Sequence, residues 1–242
     1  RQQNAWLMYG GGLDLLNDFV ASANVRTIPS GNTGAQMGGW YRGEINSVAD
    51  LNGLKLRIAG LGGTILSRLG VVPQQIAGGD IYAALERGTI DAAEFSGPLD
   101  DEKLGFQRVA PYYYYPGWWE GCANVGLYIN LDRWNALPPH FQAALQAACA
   151  ETLVHSVAKY DNGNPDALLR LIGAGAQLRA FPDDVLAAAF AESRKLYDEY
   201  AASNENFRRI YEHWSAYWTR QQQWLRVAEL PYDYFTSAQT GG

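Results

Sequence analysis

Apolar and polar positions change rhythm once along the chain, about two-thirds of the way from its start. Val25-Arg26-Thr27-Ile28-Pro29 predicts a short strand, and a Gly-rich stretch from Gly31 to Gly39 follows it. Leu54-Lys55-Leu56-Arg57-Ile58 alternates apolar and basic side chains at period two, as a strand does, and Gly60-Leu61-Gly62-Gly63 comes next. Thr64 to Leu69 reads as a helix closed by Gly70, and Val71-Val72-Pro73-Gln74-Gln75-Ile76 as a further strand. Asp80 is expected to cap a helix that presents Ile81, Ala84 and Leu85 on one face and ends at Gly88. Ala92 to Ser96 and Val125 to Ile129 complete a set of strands separated by helices. That alternation predicts an α/β fold with a largely parallel sheet. Phe141 to Tyr160 and Pro182 to Arg226 then read as long helical stretches. Asn162-Gly163-Asn164-Pro165 is expected to punctuate the first, Gly173-Ala174-Gly175 to separate the two, and Ala176 to Phe181 to add one strand between them.

Composition narrows the class. Of 242 residues, 48% are hydrophobic and 18% charged, which excludes a disordered chain and allows one large domain or two small ones. The balance of 19 basic against 25 acidic residues, net −6, makes nucleic acid or an anionic membrane surface a poor partner. No apolar run approaches the roughly 20 residues of a membrane span. Cys122 and Cys149 lack CxxC spacing, which argues against a zinc finger, a redox motif or a disulfide framework, although one bridge between them is allowed. The first residues, Arg1-Gln2-Gln3-Asn4, are neither a start methionine nor a signal peptide, so the chain reads as processed or truncated.

Enzyme motifs are mostly absent. The chain has no GxSxG elbow, no HExxH and no phosphate-binding P-loop. His140, His155 and His213 all fall in the helical third, at spacings that do not suit a three-histidine metal site. Gly60-x-Gly62-Gly63 sits between a strand and a helix, where a dinucleotide turn would, and Asp80 lies downstream at about the distance of a ribose-binding acid. Ile65, however, occupies the third glycine position, and a plain strand-to-helix turn accounts for the same residues. Asp91 with Glu94, or Asp100-Asp101-Glu102, could be imagined as a glycosidase pair beside a sugar-stacking Tyr112 to Tyr115 and Trp118-Trp119. Acids in the first turn of a helix are equally ordinary complements to its dipole.

Three polar residues fall where an α/β sheet presents a ligand, near strand ends and the loops after them. Arg57 is embedded in an otherwise apolar strand, where a guanidinium needs either a structural salt bridge to Asp or Glu or a planar anionic ligand. Gln36 lies in the Gly-rich loop, and glycines let a ligand approach the backbone. Glu94, in Ile90-Asp91-Ala92-Ala93-Glu94-Phe95, is either a surface acid or a hard oxygen ligand for a cation.

The run Asp50-Leu51-Asn52-Gly53-Leu54-Lys55-Leu56-Arg57, together with Ala83-Ala84-Leu85-Glu86-Arg87-Gly88-Thr89-Ile90-Asp91-Ala92-Ala93-Glu94, resembles the DctP family. These are solute-binding proteins of tripartite ATP-independent periplasmic (TRAP) transporters. Ile129-Asn130, Trp134 and Leu137-Pro138 extend the likeness over nearly the whole chain. Gly31 to Trp40, Val72 to Tyr82, and Tyr112 to Gly121 with its Pro-Gly-Trp-Trp-Glu-Gly resemble a narrower, TakP-type group that binds 2-oxo acids such as pyruvate, with lactate-binding relatives.

The resemblance implies a binding protein, not an enzyme, with a periplasmic-binding-protein-like α/β fold of two lobes. It implies that Arg57 pairs with the substrate carboxylate. It implies that Gln36 and Glu94 ligate a sodium or calcium ion bridging protein and substrate, with a carbonyl from Phe95 and a further acid, Glu120. Phe95 stands where the family usually has Trp, so the carbonyl is kept and the indole lost. Trp119, in the aromatic run from Tyr112 that can wall the site against water, is taken as a substrate contact. Relatives are longer at the N-terminus, so residues 1–242 are expected to form one incomplete two-lobed domain with a helical C-terminal extension from about 182 to 242. The implied location is periplasmic, with no signal peptide in this chain, and the implied partners are a small monocarboxylate and TRAP membrane subunits. A homodimer through the C-terminal helix is also implied, and the stripe Tyr211, Trp214, Trp218 suits such an interface, although packing within the chain explains it nearly as well. The other functional reading left open is a nucleotide-dependent oxidoreductase using Gly60-x-Gly62-Gly63.

Overall fold

The computed structural model describes residues 1–240, and among them the chain divides into two compact units. One unit comprises residues 30–125 and 147–196, the other 1–29, 126–146 and the stretch from 197 onward.

The larger unit is built on a six-stranded sheet. Its strands are β2 (Gly39–Tyr41), β3 (Lys55–Arg57), β4 (Val72–Gln74), β5 (Ala92–Ala93), β6 (Tyr112–Tyr115) and β8 (Gln177–Ala180), in the spatial order β4-β3-β5-β2-β6-β8. Only β2 runs against the others: it is antiparallel to both β5 and β6, whereas the remaining pairings are parallel. The expected α/β fold with a mostly parallel sheet is therefore present, with one reversed central strand.

Alternation across β2 and β6 separates the core onto the two sheet faces, because successive side chains in a strand point opposite ways. Trp40 stacks on Tyr113 at 3.9 Å within a cluster containing Ile81, Leu85, Ile90, Phe106 and Leu171. Tyr41 meets Tyr114 edge-on at 4.9 Å, and both belong to a second cluster with Leu51, Leu56, Ile58, Leu66 and Phe181. The helices of this unit are α3 (Gly60–Ser67), α4 (Ile81–Glu86), α5 (Pro98–Leu104), and parts of α7 (Pro139–Gly173) and α8 (Asp183–Ser203).

Two local expectations are corrected. Asp80 stands at the N-cap of α4, but its side chain accepts no capping bond, because a 3-10 turn over Gly78–Asp80 already holds it in helical dihedrals. The Asn162 to Pro165 segment does not interrupt the helix: α7 continues through it. There the Asn164 side-chain oxygen accepts the Leu99 amide at 3.0 Å, and a Cβ on Gly163 would lie 2.8 Å from Leu99. Packing against the start of α5 fixes these residues as helix and outweighs the proline's missing donor.

The smaller unit contains α1 (Gln2–Tyr9), α2 (Gly12–Ala21), α6 (Leu131–Ala136), α9 (Glu205–Ala228) and α10 (Leu230–Thr240). The sequence pattern predicted neither α1 nor α2. Trp6, 4% exposed, donates its indole N–H to His213 Nδ1 at 3.1 Å. The Asn204 side chain caps α9 by accepting the Phe207 amide, which divides the expected 182–226 helical stretch into two helices. Along α9, the rings of Phe207, Tyr211, Trp214 and Trp218 follow one another at 5.7, 6.0 and 6.0 Å. Strands β1 (Val25–Asn32) and β7 (Asn124–Asn130) pair in a two-stranded sheet. Among the described residues no helix is long and apolar enough to cross a membrane.

Candidate functional site

Sheet direction assembles the candidate residues. Arg57 ends β3, Glu94 follows β5, and Glu120 lies beyond β6, all at the carboxyl ends of strands that share one direction. Because β2 is reversed, its entrance, and therefore Gln36, reaches that same end of the sheet. Main-chain bonds stitch the loops together there. Met37 N–H donates to the Ser96 carbonyl at 3.0 Å, Gly117 N–H to the Gln36 carbonyl at 3.1 Å, and Glu94 N–H to the Arg57 carbonyl at 3.1 Å. Gly117 has to be glycine, since a Cβ would lie 2.7 Å from the Met37 carbonyl oxygen and 2.8 Å from that of Gln36.

Arg57 and Glu94 form the centre. Arg57 Nη1 donates to Glu94 Oε1 at 2.5 Å and to the Glu94 carbonyl at 2.9 Å, while its Nε donates to the Ile76 carbonyl at 3.2 Å. Nη2 makes no hydrogen bond among the described residues, so two of the five guanidinium N–H groups are left to give. The anionic partner demanded by an arginine in an apolar strand is thus Glu94. Both side chains are largely enclosed, at 20% and 10% exposure. Burial pushes the Glu94 carboxyl up to about 7, against the pull of Arg57, and the Glu120 and Asp101 carboxylates push the same way as burial. Burial also raises the Glu120 carboxyl.

Gln36 is buried, its side-chain Nε2 donates to Thr33 Oγ1 at 3.2 Å, and its side-chain Oε1 accepts no hydrogen bond among the described residues. The Phe95 ring packs edge-on to Phe106 at 6.2 Å and lies 6.0 Å from the Arg57 guanidinium carbon. Trp119 packs edge-on against Trp118 at 5.0 Å and Phe181 at 5.9 Å, and a Cβ on Gly62 would approach its Cβ to 3.2 Å. The buried indole N–H groups of Trp118 and Trp119 have no partner among the described residues. Gly62 and Gly63 accordingly have packing duties, against Trp119 and Ile58 and against Ile58 and Pro73. Beside Arg57 a cavity of about 320 Å³ is lined by Ile58, Ala59 and the segment Gln74 to Ala77.

Among the described residues no group of three or more His, Cys, Asp or Glu side chains could hold a metal. The donors gathered here are of another kind: the buried Glu94 carboxylate, the more exposed Glu120 carboxylate, an amide oxygen with spare lone pairs and main-chain carbonyls. Such hard, sparsely charged oxygen sets suit sodium or calcium rather than zinc or copper. Glu94 already pairs with Arg57, and Glu120 acts on Glu94 with like charge, so the group leaves room for one further positive charge.

Sequence reasoning did not find the Ile76 carbonyl, since a main-chain acceptor leaves no residue signature. It also read Asp101 only as a helix-opening acid or half of a glycosidase pair. Asp101 is fully buried and accepts from Trp40 Nε1 at 2.9 Å and Tyr113 OH at 2.7 Å. Asp100 and Glu102 are taken by Lys103 and Tyr160 and by Arg170, respectively.

The chain is similar to known proteins over most of its length. The DctP family model, bacterial extracellular solute-binding protein family 7, matches residues 1–204. A monocarboxylate 2-oxoacid-binding periplasmic protein of Nostoc sp. PCC 7120 is 46% identical over 238 residues, and the chain spans 65% of that relative's length. A TRAP transporter solute-binding protein from Bordetella bronchiseptica RB50 is 52% identical, with a TM-score of 0.96 over 100% of this chain and 72% of that one. It was crystallised as a mixed-occupancy dimer, with copurified calcium and picolinate in one active site and the other apo. A TRAP periplasmic solute-binding protein from Pseudoalteromonas atlantica T6c, solved with sodium and pyruvate, is 36% identical, with a TM-score of 0.91 over 96% of this chain and 70% of that one. The oxidoreductase alternative finds no support in these relatives.

Proposed function

The chain belongs to the DctP family, family 7 of the bacterial extracellular solute-binding proteins, and from that premise we propose that it captures a small 2-oxo or 2-hydroxy monocarboxylate outside the cytoplasm for a TRAP transporter. The observation that carries this reading is the buried Arg57–Glu94 pair at the carboxyl end of the sheet, with an unused face on the guanidinium and Gln36 and Glu120 at the same end. Arg57 would receive the ligand carboxylate, and Nη2 supplies two donors for it without breaking any bond already made. Glu94, Gln36, the Phe95 carbonyl and Glu120 would hold a sodium or calcium ion. That ion, when bound, supplies the positive charge that a three-carbon acid is too small to replace with apolar contact. Trp119 and its neighbours would close the site to water.

The calcium and sodium found with picolinate and pyruvate in the two solved relatives support the cation and the ligand class. The two compact units are read as parts of the two lobes of such a domain, the helices after Pro182 as its extension. Pairing of two copies through the C-terminal helices is supported by the aromatic ladder on α9 and by the dimer reported for the Bordetella relative.

Calorimetry of the desalted, chelator-treated protein with pyruvate and with lactate, before and after adding calcium or sodium, tests the reading. The wild type gives ion-dependent heat, Arg57→Ala gives none, and Glu94→Gln loses the response to added ion. Absence of heat and of any melting shift with either acid, in the wild type with ions present, overturns it.

A further inference from the structure

Asp101 has no exposed surface, and no cation pairs with it among the described residues. A buried carboxylate without a counter-charge is costly, and an amide or an apolar side chain would cost less, so its presence asks for a reason. Three donors converge on it. Trp40 Nε1 at 2.9 Å and Tyr113 OH at 2.7 Å share Oδ2, and Ser96 N–H reaches Oδ1 at 3.2 Å.

Each of those donors leads to the candidate site. Ser96 closes the turn that carries Glu94 and Phe95, and its carbonyl accepts the Met37 amide beside Gln36 at 3.0 Å. Gln36 in turn accepts the Gly117 amide, which opens the turn to Glu120. Trp40 and Tyr113 face each other in register across β2 and β6, the strands that bring Gln36 and Glu120 to the site. One acid thus clamps all three ligand-bearing segments from behind.

We infer that Asp101 is a positioning residue, which fixes the Glu94–Ser96 turn and the β2–β6 pair so that Glu94, the Phe95 carbonyl and Gln36 meet an ion in one geometry. The inference rests on the reading that these groups hold a cation. Residues that orient ligands in this way lower metal affinity about 10- to 100-fold when replaced.

Asp101→Asn, which keeps the size and one acceptor, is therefore expected to weaken calcium binding about 10- to 100-fold in calorimetry. Terbium bound to this variant shows a shorter luminescence lifetime in water, reporting extra coordinated solvent in a loosened site. Tyr113→Phe, which deletes a single donor to the same oxygen, moves both readouts less and in the same direction. Leu85→Ala, a fully buried neighbour in the same cluster, lowers the melting temperature but keeps calcium affinity within about twofold. If Asp101→Asn or Tyr113→Phe melts earlier while binding calcium and terbium as the wild type does, Asp101 is only structural and the inference falls alone. If the wild type binds neither ion, the reading of the site falls, and this inference with it.

Discussion

At the scale of single residues, an unfavourable placement was the readable signal. Arg57 stood out in an apolar strand because a buried guanidinium must be paired, and the partner turned out to be Glu94. Asp101 carried no such signal, since an acid in a helix's first turn is ordinary and its two aromatic donors are far away in sequence. The state of Glu94 has a measurable consequence. Its carboxyl ordinarily ionises near 4.5 and here is pushed up to about 7, chiefly by burial. An ion needs the carboxylate, so below pH about 7 a proton must leave before the ion can bind. Calcium affinity is then expected to fall by up to tenfold per pH unit as the pH drops from 7 to 5, and to level off above 7. Without ions the stability effect has the opposite sign. The folded state holds the Glu94 proton more tightly than the unfolded one, so Glu94's contribution is largest below about 4.5 and is lost as pH rises through 7. Calcium titrations at several pH values check this, and an affinity constant from pH 5 to 8 contradicts it.

At the scale of elements, the parallel strands that alternate with helices were legible, whereas β2 and β6 were not. Gly39–Tyr41 and the central Tyr113 and Tyr114 of Tyr112–Tyr115 are covered on both faces, so they show continuous apolar residues instead of the period-two pattern. The continuity of α7 through Pro165 was hidden for a different reason, because its cause lies in another helix. Gly97 precedes α5 and has no side chain to cap it, and Asn164 performs that task from α7 by accepting the Leu99 amide. Asn164→Ala should therefore cost about 1 kcal/mol of stability, the usual loss for a missing N-terminal cap. Asn164→Asp keeps the acceptor at a helix start that favours negative charge, and should stay within a few tenths of a kcal/mol of the wild type. Urea unfolding of the two variants compares them directly. Equal losses would mean that the acceptor oxygen is irrelevant and that packing alone holds the segment.

At the scale of the whole molecule, the net charge of −6 says little about an anionic ligand, because the site gathers its own balance from one arginine, the acids Glu94 and Glu120, and room for an ion. The two cysteines are more informative. Spacing alone allowed a bridge between Cys122 and Cys149, yet both thiols are free, and they differ in environment. Cys149 lies 6% exposed and burial raises its thiol, whereas Cys122 is half-buried and its sulfur accepts the Asn32 amide at 3.4 Å. The thiolate is the reactive form, so suppressed ionisation and poor access both slow Cys149. Titration of the native protein with a chromogenic disulfide reagent should therefore release one equivalent quickly, from Cys122, and the second only on unfolding. Cys122→Ser should abolish the fast phase and leave the slow one. Two fast equivalents in the native state would show that the region around Cys149 opens readily, and none after unfolding would show that the thiols are bridged after all.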